Sequence, residues 1–116
     1  MSSTAPESLG IAGLLRRYRT GELQPSAVIE SVYDRIAERG TDNVWIHLVP
    51  RADALARSTN LESASRDLPL FGIPFAVKDN IDVAGLPTTA GCPAFAYTAE
   101  RSATVVDKLM DAGAIH

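Results

Sequence analysis

Apolar residues recur at helical spacing twice before residue 40. Ile11, Leu14, Leu15 and Tyr18 fall at i, i+3, i+4 and i+7, and Gly21 can stop that helix. Ile29, Val32, Tyr33 and Ile36 repeat the spacing, with Pro25 suited to the first turn and Gly40 to the exit. Two such helices on a short turn predict an αα-hairpin over about residues 8–40. Residues 44–49, Val-Trp-Ile-His-Leu-Val, have strand composition, with Val44, Ile46 and Leu48 on one face and Trp45 in the core. Ala52, Leu55 and Ala56 predict a third, weaker helix, and residues 58–67 are polar enough for a helix end and a loop.

Residues 73–77 form a short continuous apolar run, the pattern of a strand buried on both faces. Pro74 places its start, or an edge, there. Val106, Leu109, Met110 and Gly113 return to helical spacing, with Ser102 as a candidate cap and Gly113 as the stop; Ala114 and Ile115 then begin another strand. Strand, helix, strand in this order predicts a right-handed βαβ crossover between parallel neighbours. Between them lies a connection at residues 81–101, far longer than the usual two to six residues and without a regular pattern. The expectation is an α/β chain: a helix pair, then parallel or mixed strands flanked by helices, all within one domain whose α/β part spans about residues 43–116. His116 comes as a strand should begin, which leaves the sheet incomplete and its edge bare. We therefore expect a truncated chain, aggregation-prone or partly folded when isolated.

Composition narrows the function. The net charge of −3 speaks against nucleic acid or an anionic membrane as partner. Arg16, Arg17 and Arg19 read as a solvated helix face. One cysteine, Cys92, permits neither an intrachain disulfide nor a CxxC metal site. Residues 1–7 lack the pattern of a signal peptide, and no window approaches the apolar length of a membrane span, so a cytoplasmic location is expected.

The residue that points to chemistry is Lys78. It ends the apolar run at the carboxyl end of its strand, where α/β sheets bind ligands. It is one of only two lysines against nine arginines. An ammonium there is costly unless it is paired or neutral, and a neutral lysine is a general base or a nucleophile. Position alone leaves other readings open: the side chain can snorkel to solvent, or pair with Asp79 or Asp82. Cys92 reads as a small buried residue, since a catalytic cysteine wants a histidine and only His47 and His116 exist. His47 reads as structural or surface. Asp79, Asp82 and Glu100 have no histidine to complete a metal set and no known ligand spacing, so no metal is expected. Thr88 and Thr89 are turn residues, or hydroxyls lining a site.

The run GIPFAVKDNIDVAGLPTTAGCPAFAY, residues 72–97, resembles the amidase signature family of serine hydrolases. The likeness extends to Tyr18-Arg19-Thr20-Gly21 and Leu23-Gln24-Pro25-Ser26, and to the stretch from Ala103 through Ile115. Trp45-Ile46 and Cys92-Pro93-Ala94-Phe95-Ala96-Tyr97 look most like the allophanate hydrolase branch; many other amidases have serine where Cys92 stands. The resemblance implies the N-terminal part of the amidase signature fold and a Ser–cis-Ser–Lys triad. In such a triad Lys78 is the base, the substrate is a small-molecule amide, and no metal or organic cofactor is used. The family's two serines lie in a Gly/Ser-rich segment beyond the lysine, and no such segment occurs here. The 116 residues alone are therefore expected to be inactive. Two alternatives stand beside hydrolysis of allophanate in urea degradation. One is a non-catalytic interaction module. The other is the A subunit of a glutamyl-tRNA(Gln) amidotransferase, which would need partner subunits and tRNA. The apolar face of the helix pair could serve a homodimer of the full-length protein.

Overall fold

Helix α1, Ile11–Thr20, buries Leu14 and Tyr18 and closes on Gly21, whose N–H donates to the Tyr18 carbonyl. The structure is a computed structural model and describes residues 6–40 and 43–116. Helix α2, Pro25–Arg39, starts on a proline that needs no N–H there and ends at Gly40. Helix α3, Arg51–Glu62, packs against α2 and turns Ala54, Ser58 and Leu61 inward. The three helices thus form where their spacing predicts, with α3 ending at Glu62 inside the polar stretch; α2 packs chiefly on α3 rather than on α1. On the solvent side Arg51 joins the helices through Glu30 at 2.8 Å and Asp34 at 3.0 Å. These are exposed pairs that contribute little stability.

The core gathers Leu14, Tyr18, Leu23, Val28, Ile29, Leu61, Phe71, Ile73 and Ile115. Tyr18 is its hub. The ring meets Phe71 edge-on at 5.7 Å, and the hydroxyl donates to the Gly72 carbonyl at 2.8 Å. Burial pushes the Tyr18 phenol well above its usual range. Arg66 completes the junction. Its guanidinium donates to the Tyr18 carbonyl at 2.7 Å, at the negative end of α1, and to Gln24 Oε1 at 3.1 Å. Tyr18→Phe removes the donor and leaves a buried carbonyl unsatisfied; we expect a loss of about 1–2 kcal/mol in urea unfolding.

The sheet departs from expectation. Residues 44–49 form no strand. Val44, Trp45, Ile46 and Leu48 are exposed, Trp45 at 41%, so it is not a core residue. Their period-2 pattern marks apolar content, but no neighbouring strand among the described residues offers them a ladder. Parallel pairing is confined to one bridge, Pro74 with Ile115. Ile115 donates to the Ile73 carbonyl at 2.8 Å and receives the Phe75 N–H at 2.9 Å. Neither bond uses the nitrogen of Pro74, so the proline is tolerated at the bridge. The order strand segment, helix, strand segment is thus present, with α4, Thr104–Asp111, as the crossover helix. The pairing is confined to Ile115 opposite residues 73–75, and among the described residues positions 76–78 have no partner strand. The regular sheet is instead antiparallel and small: β1, Pro87–Thr88, against β2, Tyr97–Thr98. Among the described residues the chain is mostly helical.

That small hairpin organises the long connection, which the sequence pattern left irregular. Two-residue strands carry too few alternating positions to be seen as a period. A 3₁₀ turn, Pro93–Phe95, joins them and leaves Cys92 exposed rather than buried. Ser102 does not cap α4; its hydroxyl accepts the Ala84 N–H at 2.9 Å, and Ala103 is the boundary residue.

Candidate functional site

Lys78 is placed by a series of backbone anchors. Tyr18 holds the Gly72 carbonyl, and Gly72 donates to the Gly113 carbonyl at 2.9 Å. Ile73 and Phe75 bond to Ile115. The chain then leaves the bridge and reaches Lys78, whose carbonyl accepts the Ile81 N–H at 3.0 Å in a tight turn. The turn comes where Asp79 and Asn80 replace the apolar run.

A groove of about 430 Å³ opens beside this turn. Its walls are Val32 and Ile36 of α2, residues 44–49, and residues 74–79, with Leu86 and His116. The groove is mostly apolar, with Lys78, Asp79, His47 and His116 among its lining residues. His116 stacks obliquely on Phe75 at 5.5 Å, and burial, then the nearby His47, holds its imidazole below the usual value.

The Lys78 side chain is exposed. The desolvation expected of a lysine ending a doubly buried strand is therefore not supplied by these residues, because no strand covers positions 76–78. Nor is it paired. Among the described residues Lys78 makes no ion pair and no side-chain hydrogen bond, because both candidate carboxylates are engaged elsewhere. Asp79 Oδ1 accepts the Thr89 N–H at 3.2 Å, and Oδ2 accepts the Gly91 N–H at 3.3 Å and the Thr89 hydroxyl. Asp82 Oδ1 accepts the Thr88 hydroxyl at 2.9 Å and the Tyr97 hydroxyl at 2.5 Å. Thr88 and Thr89 thus serve the loop's own carboxylates and do not line the groove. Thr88 is buried. The Tyr97 phenol is raised, chiefly by its bond to Asp82.

The sequence singles out Lys78 as a candidate but gives no comparable notice of Asp79, which organises the loop. The available signal was an aspartate followed nine residues later by a Thr-Thr-Ala-Gly turn, which offers side-chain and backbone donors together. The Thr89 hydroxyl, followed by the Gly91 and Thr89 N–H groups, holds the Asp79 carboxyl below its usual range against the opposing effect of burial. A depressed folded-state pKa adds stability above the unfolded value of about 3.9, and that stability is lost as pH falls through the folded value. The Gly91 amide is therefore expected to lose protection from exchange only under acid, at a pH below the ordinary aspartate range. An NMR titration from about pH 6 to about pH 2.5 checks this. Loss of protection already at pH 5 would contradict it.

Among the described residues no group of three or more histidine, cysteine or carboxylate side chains could hold a metal. No helix there is long and apolar enough to cross a membrane.

Comparison with known proteins places this geometry. The Amidase family pattern matches residues 27–116. The urea amidolyase of Saccharomyces cerevisiae is 42% identical over 118 residues, covering 97% of this chain and 6% of that protein. The solved allophanate hydrolase of Kluyveromyces lactis is 35% identical with a TM-score of 0.71, over 93% of this chain and 19% of that one. The native peptide amidase of Stenotrophomonas maltophilia is 33% identical with a TM-score of 0.81, over 94% and 24%. The chain therefore spans at most about a quarter of the length of these relatives, and it shares the fold of the two solved structures over that stretch. On the family pattern over residues 27–116 and the shared fold, the chain belongs to the amidase family.

Proposed function

We propose that this chain is the base-bearing segment of an amide hydrolase, with Lys78 as general base and allophanate as substrate, cleaved to ammonia and carbon dioxide. The observation that carries the reading is a lysine lining an apolar groove, unpaired among the described residues, inside a family-matched run. A base must have its lone pair available. Both neighbouring carboxylates are occupied by the loop, so neither holds Lys78 as an ion pair. Burial of an amine in general favours its neutral form, the form that can accept a proton, and the rest of an amidase domain would cover the groove. Lys78 then takes a proton from a cis-serine, and that serine takes one from the nucleophilic serine. The serine attacks the amide carbonyl, the C–N bond breaks as the leaving nitrogen takes back a proton through the cis-serine from Lys78, and water then hydrolyses the acyl-enzyme to release the acid and free the serine. Both serines come from outside these 116 residues, and no metal or organic cofactor enters the reaction. The urea amidolyase and allophanate hydrolase likenesses support the choice of substrate.

The test uses a chimaera in which this chain replaces the matching stretch of the Kluyveromyces lactis allophanate hydrolase. The chimaera is expected to release ammonia from allophanate without tRNA or partner subunits, and the 116-residue chain alone to release none. Ammonia release by the isolated chain, abolished by Lys78→Ala, would overturn the assignment of the serines. A requirement for tRNA would favour the amidotransferase reading.

A further inference from the structure

Asp79 stands next to Lys78 in the chain, yet its side chain turns away from the lysine and grips the loop ten residues on. Its carboxylate takes two backbone N–H groups, from Thr89 and Gly91, and the Thr89 hydroxyl. Its own carbonyl accepts the N–H groups of Thr89 at 3.2 Å and Ala90 at 3.0 Å. One residue thus receives five hydrogen bonds from a three-residue turn. That turn would not hold this shape unaided. Ala90, at φ +51°, and Gly91, at φ +74°, are successive left-handed residues, and the first has a Cβ. Such a conformation persists where its surroundings over-determine it, and here Asp79 does so. On the other side of the lysine, the Lys78 carbonyl is fixed by Ile81 and the approach to it by the Ile115 bridge.

We infer that Asp79, through Thr89, is a positioning residue for Lys78: it locks the backbone at Asp79, the residue next in the chain, to the 89–91 turn and so sets where the lysine amine points. The inference rests on the proposed base role of Lys78. It adds that the aim of the base is set by a carboxylate whose oxygens are committed to the loop. A base misplaced by about 1 Å costs on the order of 100-fold in rate, so the lock is read in turnover rather than in binding.

The experiment compares four variants of the same chimaera: Lys78→Ala, Thr89→Val, Thr89→Ser and Asp79→Asn. Thr89→Val keeps the shape and removes the hydroxyl donor. Thr89→Ser restores that donor and serves as the rescue. Asp79→Asn replaces one accepting oxygen by a donor group facing Gly91 or Thr89, and gives a second reading should the valine variant fail to fold. Thr89→Val and Asp79→Asn are expected to lower kcat about 10- to 100-fold with KM changed less than about threefold, and Thr89→Ser to stay within about threefold of the parent. A dead Lys78→Ala beside a fully active Thr89→Val and Asp79→Asn would overturn the positioning role and leave the base role standing. Full activity of Lys78→Ala would overturn both. A rise in KM at unchanged kcat in the Thr89 and Asp79 variants would also overturn it, since that pattern marks lost binding.

Discussion

Lys78→Ala in the chimaera is expected to lower kcat for allophanate by about 10²–10⁴-fold, while KM stays near the parent value. The magnitude is that of a general base: the proton moves in the transition state, so the ground-state complex scarcely senses the loss. In free energy the range is about 3–5 kcal/mol of transition-state stabilisation. An ordinary surface lysine that merely covers apolar surface with its stem would give no such effect. The exposure of Lys78 here does not argue against the role, because the apolar groove it lines is itself uncovered. Steady-state ammonia release over a range of allophanate concentrations separates the two constants. A kcat within twofold of the parent would remove Lys78 from the chemistry.

Gly72→Ala is expected to destabilise the chain by about 2–4 kcal/mol, the largest stability effect of any single methyl addition here. Two physical terms act at once. Gly72 has φ +69°, where a Cβ is strained whatever the space. That Cβ would also stand 2.8 Å from Pro25 Cγ and 2.9 Å from Tyr18 Cε2. Neither neighbour is a flexible tip. Pro25 is a ring at the first turn of α2, and Tyr18 is held by its bond to the Gly72 carbonyl. The added methyl therefore prises the helix pair from the segment that leads to Lys78. Urea unfolding followed by helical circular dichroism should show a lower midpoint at unchanged slope. Adding Pro25→Ala removes the 2.8 Å contact and leaves both the Tyr18 contact and the strained φ, so it should recover only part of the loss. A Gly72→Ala chain as stable as the parent would mean that this junction does not carry the packing described.

The helices were legible because each carries several turns of repeat. Leu14 and Tyr18 face the core as their spacing requires, although Ile11, on the same predicted face, is exposed at 51%. Gly21 and Gly40 end the first two helices where the pattern says they should. The sheet was not legible to the same degree. The 44–49 run and the 73–77 run have strand composition, but a strand needs a partner, and partners are non-local. In this chain the second run finds one rung, at Pro74, and the first finds none among the described residues. The β1–β2 hairpin escaped notice because two residues per strand are too few to alternate.

The candidate site was legible in one residue. Lys78 stood out by chemistry, an ammonium after five apolar positions, and the family-matched run reinforced it. Its surroundings were legible only as a set of alternatives. Whether Asp79 and Asp82 pair with the lysine depends on which donors reach them first. Those donors, Thr88, Thr89, Gly91 and Tyr97, come from a loop whose path no periodicity encodes. Cys92 and Trp45 were misplaced for a related reason: a typical burial for the residue type says little where the local chain has nothing packed over it.

The central claim is that an amine at position 78 is the base. The most direct measurement is rescue of the Lys78→Ala chimaera by added primary amines, with ammonia release from allophanate as the readout. The account predicts that methylamine or ethylamine restores part of the lost rate, more so as pH rises and more of the amine is neutral, and leaves the parent chimaera unaffected. A Lys78→Ala chimaera that hydrolyses allophanate as fast as its parent, with added amine changing neither, would contradict it.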